Sequence, residues 1–485
     1  MAAVDHWSSA TEQLAALDAG EISSVELVDH HLARIDERNA EINAIVVPTA
    51  DRALEAARRA DELRAGGRRG GGDRPALLGL PITLKESTQV AGLPHSAGLV
   101  AFKDHRPATD GPIARDVFAA GACLLGTTNI PEALGDWQAN SQVYGRTNNP
   151  WDPTRTPGGS TGGGAAALAA GLTPLEIGSD IGGSIRVPAA YCGVYGHRPS
   201  ETAIPRHGSL PGDDVPNPWV LMGVQGPLAR SAIDLELLFD VVAGPVEGED
   251  AGWRLDLPPA RHDRLGDFRV AVMPTLPWVR PSADMQGKVD ELASFLSTQG
   301  ATVREAMPDV DVDAYREDYH RLLTVMTVPY GKTPDELQAH AQRLRGGGPI
   351  AEATADGMTL TAHGLRDLLA RRERARAAWR AFFSEWDVLI APTALGSAFE
   401  HVEGPQSKRT LLIDGVEVAY GLNIVYPMWA VFAGQPATAF PAGLDSSGLP
   451  LGLQAIGGYL DDRTTMRFAQ LLEREWYHFQ RPPGW

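Results

Sequence analysis

Residues 158–171 read GGSTGGGAAALAAG. Gly158, Ser160 and Gly162 match G-x-S-x-G, the pattern of a serine nucleophile on a strand-to-helix elbow. An elbow needs a strand directly before its serine. Here NNPWDPTRTP (148–157), with three prolines, precedes it and reads as loop. The elbow order also asks for an acid and then a histidine downstream. The late histidines, His320, His340, His363, His401 and His478, have no post-strand setting, and no HGGG-type loop lies upstream. A phosphate cradle fits no better. The chain has no G-x-x-x-x-G-K-[ST], and no G-x-G-x-x-G follows a strand and opens a helix. The glycines run into a helix pattern, AAALAAG (165–171), whose small face lets it lie close against its neighbours. LEIGSD (175–180) then reads as a short strand running into a second glycine turn.

On either side of this stretch, strand and helix patterns alternate. INAIVV (42–47), LLGLPITLK (77–85), CLLGTTN (123–129), FRVAVM (268–273) and ATVRE (301–305) read as strands. So do DVLIAPT (387–393), QPATAFPAG (435–443) and LGLQAIGG (451–458). Two helices open on the capping boxes Ser9-x-x-Glu12 and Ser23-x-x-Glu26. Others are expected over 51–64, 111–122, from a Ser231 cap through Val242, over 282–299 and over 463–473. Residues 312–386 read as mostly helical. The pattern predicts an α/β fold with a mixed, mostly parallel central sheet covered by helices on both faces. No charged linker or internal repeat divides the chain. The expectation is one large domain over 1–485, with a core motif region at 77–200 and a helical excursion near 310–385. AGGRRGGGDRP (65–75) reads as a flexible surface connection.

Composition narrows the function. The chain has 485 residues, 43% hydrophobic and 21% charged, with a formal net charge of −18. So acidic a surface argues against nucleic acid or an anionic membrane as the main partner. The two cysteines, Cys123 and Cys192, favour a reducing compartment over a disulfide framework. MAAVDHWSSATEQL (1–14) is acidic early and lacks an apolar core, so it does not read as a secretory signal. No apolar run of about 18 residues suggests a membrane span. A cytoplasmic protein is expected. The histidines are scattered and no H-E-x-x-H or paired C-x-x-C occurs, so neither a metal nor a cofactor is expected. His30 and His31 read as surface or boundary residues of an amphipathic helix.

The second glycine turn, GSDIGGSIRVP (178–188), carries more chemistry. Ser184 lies 24 residues after Ser160. Gly182 and Gly183 leave backbone N–H groups unobstructed just before its hydroxyl, as an oxyanion hole requires. A serine hydroxyl still needs a base. Arg186 stays protonated at any working pH and cannot serve. Lys85 ends an apolar strand, and burial there would lower its pKa toward a usable base. Taken singly, each residue has a plainer reading. A strand-end lysine commonly snorkels to the surface, and Ser160 and Ser184 could be turn serines.

Together these segments resemble the amidase signature family of serine hydrolases. The resemblance rests on GLPITLKES (79–87), TPGGSTGGGAAALAAGL (156–172) and GSDIGGSIRVPAAYCGVYGHRPS (178–200). Downstream segments at 226–244, 386–393, 434–443 and 448–457 also fit. The resemblance implies a Ser–cis-Ser–Lys triad. Ser184 is then the nucleophile, Ser160 the bridging serine after a cis Gly159–Ser160 peptide, and Lys85 the neutral proton acceptor. It implies an oxyanion hole from the N–H groups of Ile181, Gly182, Gly183 and Ser184. Asp180, Arg186 and Thr161 match supporting positions. Leu134 matches a pocket position, and the neighbouring Gly135, Trp137 and Gln138 extend that expectation. Tyr144, Tyr426 and Trp429 could add to an aromatic wall; each could equally be a core aromatic.

Three departures from the commonest family pattern stand out. Thr161 replaces a frequent serine, Glu86 follows the lysine where Asp is common, and GHRPS (196–200) replaces the usual G-L-K-P-T. None removes a triad member. They weigh toward a stand-alone amidase acting on a small-molecule amide and against a glutaminyl-tRNA amidotransferase subunit, which works with partners. Oligomeric state is left open, a homodimer being one option.

Overall fold

The computed structural model describes residues 4–66, 74–212, 220–328 and 332–485. The connection read at 65–75 falls mostly outside the described residues. Eleven strands form one sheet. In chain order they are β1 (Ile45–Pro48), β2 (Pro81–Lys85), β3 (Cys123–Thr128) and β4 (Leu175–Asp180). Next come β5 (Tyr195–Arg198), β6 (Val224–Ala229), β7 (Arg269–Val272) and β8 (Thr302–Glu305). β9 (Val388–Pro392), β10 (Ala437–Leu444) and β11 (Pro450–Ile456) complete it. The spatial order is β1-β3-β2-β4-β6-β5-β10-β11-β9-β7-β8.

The sheet is mixed. Parallel pairing holds within two blocks, β3-β2-β4 and β9-β7-β8. Antiparallel pairing through β6, β5, β10 and β11 joins the blocks, and β1 adds an antiparallel edge. Both faces are covered, as the period-2 alternation of β3 illustrates. Leu124 packs with Ile82, Leu84, Ile113, Val117, Leu238 and Phe239, under the helices Pro112–Ala119 and Ala232–Val242. Cys123 and Leu125 face the other way, onto Ala166 and Ala167 of the helix Gly162–Ala169 and Val28 and Ile35 of Ser24–Ile42. Each such leucine buried contributes about 1.5–3 kcal/mol.

The helix Gly162–Ala169 starts three residues earlier than its sequence pattern suggests, inside the glycine run. Close packing explains why. A Cβ on Gly163 would stand 2.3 Å from Asn129 N, and one on Gly164 would stand 2.6 Å from the Glu176 side chain. The helix Arg186–Cys192, which directly follows Ser184, has no periodic signal; its Pro188 is tolerated because the first turn needs no N–H partners. The described residues of 310–385 form four helices, Val312–Thr327, Pro334–Leu344, Pro349–Met358 and Ala362–Glu385.

Two local expectations are corrected. Ser231 sits at the helix start, but its side chain caps nothing. The Glu473 carboxylate, from the last helix, accepts from Ala232 N–H at 2.8 Å and Ser231 Oγ at 3.1 Å. His31 is fully buried, not at a boundary. Its ring nitrogens meet the Leu172 carbonyl at 3.1 Å and the Gln13 amide at 3.2 Å, while His30 is exposed.

Candidate active site

Parallel pairing of β2 with β4 brings two strand ends together. Thr83 pairs with Glu176 and Leu84 with Ile177, so Lys85 stands beside the start of the second glycine turn. Lys85 is 1% exposed. Its Nζ lies 2.7 Å from Ser160 Oγ, 3.0 Å from Thr161 Oγ1 and 3.0 Å from Ser179 Oγ. No carboxylate among the described residues bonds it. Burial lowers its pKa to about 7, against the opposing pull of Glu176 and then Asp180. The three hydroxyls can accept the three N–H groups of an ammonium, and in the neutral amine one of them can donate to the lone pair instead. The Gly159–Ser160 peptide is cis.

Ser184 stands across from Ser160, buried to 8% exposure. The two serine loops are tied by Thr161 N–H donating to the Ser184 carbonyl at 3.1 Å. The serine hydroxyls themselves do not hydrogen-bond to each other. The backbone N–H groups of Ile181, Gly182 and Ser184 have no acceptor among the described residues. Gly183 departs from the expected oxyanion set, because its N–H donates to Asp180 Oδ1 at 2.9 Å.

A buried ion pair holds this turn. Arg186 clamps Asp180 through Nε and Nη2, each at 3.0 Å, with both side chains fully buried. The remaining Arg186 nitrogen donates to Gln454 Oε1 at 2.6 Å and the Pro427 carbonyl at 3.0 Å. Ile185 N–H donates to Asp180 Oδ2 at 3.2 Å, and Arg198 donates to the Asp180 carbonyl at 2.9 Å. Burial alone would raise the Asp180 pKa. The Arg186 charge and hydrogen bonds, the Arg198 charge and the Gly183 N–H outweigh it and hold the carboxyl well below the usual range.

The carbonyls of the turn are braced from outside. Tyr319 Oη, from the helix Val312–Thr327, donates to the Ile181 carbonyl at 3.2 Å. Trp137 Nε1 donates to the Gly182 carbonyl at 3.2 Å and packs on Tyr420, with ring centroids 5.3 Å apart. Of the expected pocket residues, Trp137 therefore reaches the serine turn. Gln138 spends both ends of its amide on the Val402 backbone, at 2.9 and 3.0 Å. The Gly135 carbonyl is taken by Gln406. Leu134 is half-buried in a left-handed conformation, φ 59°.

The other aromatic expectations divide. Tyr144 donates to Glu86 at 2.6 Å. Trp429 stacks on Tyr315 in the core at 4.6 Å, and Tyr426 is buried beside it. Sequence reasoning missed Ser179, Tyr319 and Glu176. Only Glu176 left a trace, as an acid between the apolar Leu175 and Ile177 of a strand pattern.

Comparison with known proteins finds relatives along nearly the whole chain. The amidase family model matches residues 26–466. A glutamyl-tRNA(Gln) amidotransferase subunit of Chloroflexus aurantiacus is 34% identical, with 98% of each chain covered. Indoleacetamide hydrolase of Bradyrhizobium diazoefficiens is 31% identical over 94% of this chain and 84% of that protein. A bacterial aryl acylamidase of the amidase signature family superposes with a TM-score of 0.78 at 25% identity, covering 97% of each chain. The fold and site define an α/β enzyme that hydrolyses amide C–N bonds. The chain belongs to the amidase signature family. Among the described residues, no helix is long and apolar enough to cross a membrane.

Proposed function

We propose that the chain is a stand-alone amidase that hydrolyses small amides through an acyl-enzyme on Ser184. One observation carries this reading: a buried lysine with a lowered pKa, bonded to Ser160 and to no carboxylate. Ser184 Oγ attacks the amide carbonyl. Its proton passes to Ser160, whose own proton passes to Lys85 Nζ. The oxyanion faces the free N–H groups of Ile181, Gly182 and Ser184. The Lys85 proton then returns through Ser160 to the leaving nitrogen, the C–N bond breaks, and amine departs. Water enters by the same relay and releases the carboxylic acid. The relay needs Ser184 Oγ to turn toward Ser160; catalytic hydrogen bonds are often loose before substrate binds. No cofactor takes part.

Trp137 and Tyr420 beside the serine turn favour an aryl amide or anilide, with carbamates and esters as secondary substrates. Relatives named for indoleacetamide and aryl acylamide substrates support that preference. The purified chain, monomer or homodimer, should release amine from an aryl amide without partner or ATP. A sulfonyl fluoride should label Ser184; an adduct mapped to Ser160 would overturn the assignment.

The similarity to an amidotransferase component favours one second reading, a chain that works within an assembly. Inactivity of the isolated chain across amides, anilides, carbamates and esters, with activity restored by partner proteins, would select it.

A further inference from the structure

The same strand pairing that delivers Lys85 delivers a second ionisable group that the proposed relay does not use. Glu176 is 0% exposed, the second residue of β4. It pairs with Thr83, two residues before Lys85, so the two side chains are diagonal neighbours on one face of the sheet. The helix above that face touches both. Thr161, at its N-terminus, bonds Lys85 Nζ at 3.0 Å, and the open Cβ position of Gly164 meets the Glu176 carboxyl at 2.6 Å. The carboxyl thus occupies the space that a side chain at 164 would fill.

Its hydrogen bonding is incomplete. Oε1 accepts from Thr128 Oγ1 at 2.8 Å, and Thr83 lies beside it with its hydroxyl turned to the Leu175 carbonyl at 3.3 Å. Oε2 is buried with no hydrogen-bond partner among the described residues. A buried carboxyl so weakly satisfied is costly to a fold. No arginine compensates it, in contrast to Asp180.

We propose that Glu176 is a positioning residue for amide hydrolysis, whose carboxyl, diagonal to Lys85, sets how readily the lysine amine takes up the serine proton. The proposal rests on the reading of Lys85 as the base. The titratable groups facing Lys85 are Glu176 and Asp180, both on β4. Asp180 is already neutralised by Arg186 and Arg198. β3 offers the Thr128 hydroxyl, and the helix above offers only glycine, alanine and leucine. Among the described residues, Glu176 is therefore the one carboxyl acting on Lys85 that no arginine neutralises, and it can ionise as the ammonium forms during acylation. Burial raises its own pKa, the Thr83 and Thr128 hydroxyls oppose that rise, and a positive charge on Lys85 pulls the carboxyl further toward ionisation.

The test is the pH dependence of kcat/KM and of Ser184 labelling by a sulfonyl fluoride. Glu176→Gln keeps the shape and the acceptor for Thr128 but removes the charge. The acid limb of both profiles should move to lower pH by about one pH unit. The plateau should fall about threefold as the base weakens. Glu176→Asp should bring the limb back toward wild type. Thr128→Val, which destabilises the carboxylate while leaving both it and Lys85 in place, should move the limb the same way by less. A folded Glu176→Gln or Thr128→Val protein whose acid limb coincides with wild type overturns the proposal, because a merely structural role would lower stability and leave the limb in place. If Glu176→Gln does not fold, Thr128→Val decides alone. Lys85→Ala separates the two readings. If it labels at the wild-type rate, the base assignment fails; if it does not label while Glu176→Gln keeps the wild-type limb, only the role of Glu176 fails.

Discussion

Two buried cations lie beside the two serine-bearing loops, and they are treated in opposite ways. Arg186 is fully buried against Asp180, with every nitrogen engaged and two of them on a carboxylate. Lys85 is equally buried but meets only hydroxyls. Desolvation penalises both charges. For the arginine, the ion pair with the Asp180 carboxylate offsets that penalty and keeps the charge in place. For the lysine, nothing at bonding distance replaces lost water with negative charge, so its pKa falls to about 7. The contrast teaches that burial alone does not make a base. Burial without an ion partner does, and the neighbouring paired cluster supplies the rigidity that the unpaired one cannot.

Breaking each side of that contrast gives different readouts. Lys85→Ala should lower the rate of Ser184 acylation by about 10²–10⁴-fold while the unfolding transition stays cooperative. Labelling by a sulfonyl fluoride measures the first and circular dichroism the second. Arg186→Met should instead act on stability, costing about 3–5 kcal/mol in denaturant unfolding, because it strands the buried Asp180 charge. A variant that unfolds like wild type would show the pair to be dispensable. The pH profile sharpens the lysine side without mutation. The base must be neutral, so kcat/KM should rise with pH and level off above about 7, the pKa to which burial brings Lys85. Below that point each pH unit should cost about tenfold. The smallest effect is expected at the brace. Tyr319→Phe removes the hydroxyl that donates to the Ile181 carbonyl, and should lower kcat/KM by roughly the worth of one hydrogen bond, about 1 kcal/mol.

Much of the fold was legible because it is local. The strand patterns of β2, β3 and β4 and the capping boxes at Ser9 and Ser23 are short-range signals, and the structure forms both boxes. The helix after Ser184 was not, since GSIRVPAAYC has no periodic face and is buried all round. The Ala232 cap was misassigned because its acceptor, Glu473, lies 241 residues away. In the candidate site, order and spacing exposed Lys85, Ser160 and Ser184. They could not expose Ser179 or Tyr319, whose roles depend on a register and on a helix that returns from the excursion. Nor could they reveal that the Gly183 N–H is already committed to Asp180.

By itself, then, the chain's sequence determined the class of chemistry: two serine turns and a strand-end lysine, with glycines where backbone must approach backbone. The tertiary structure decided the electrostatics. Whether a lysine is a surface ammonium or a buried amine depends on what surrounds it, and those surroundings come from β2, β4 and the helix between them. Whether Glu176 is an accident in an apolar strand or a neighbour of the base depends on pairing register, which no local pattern encodes.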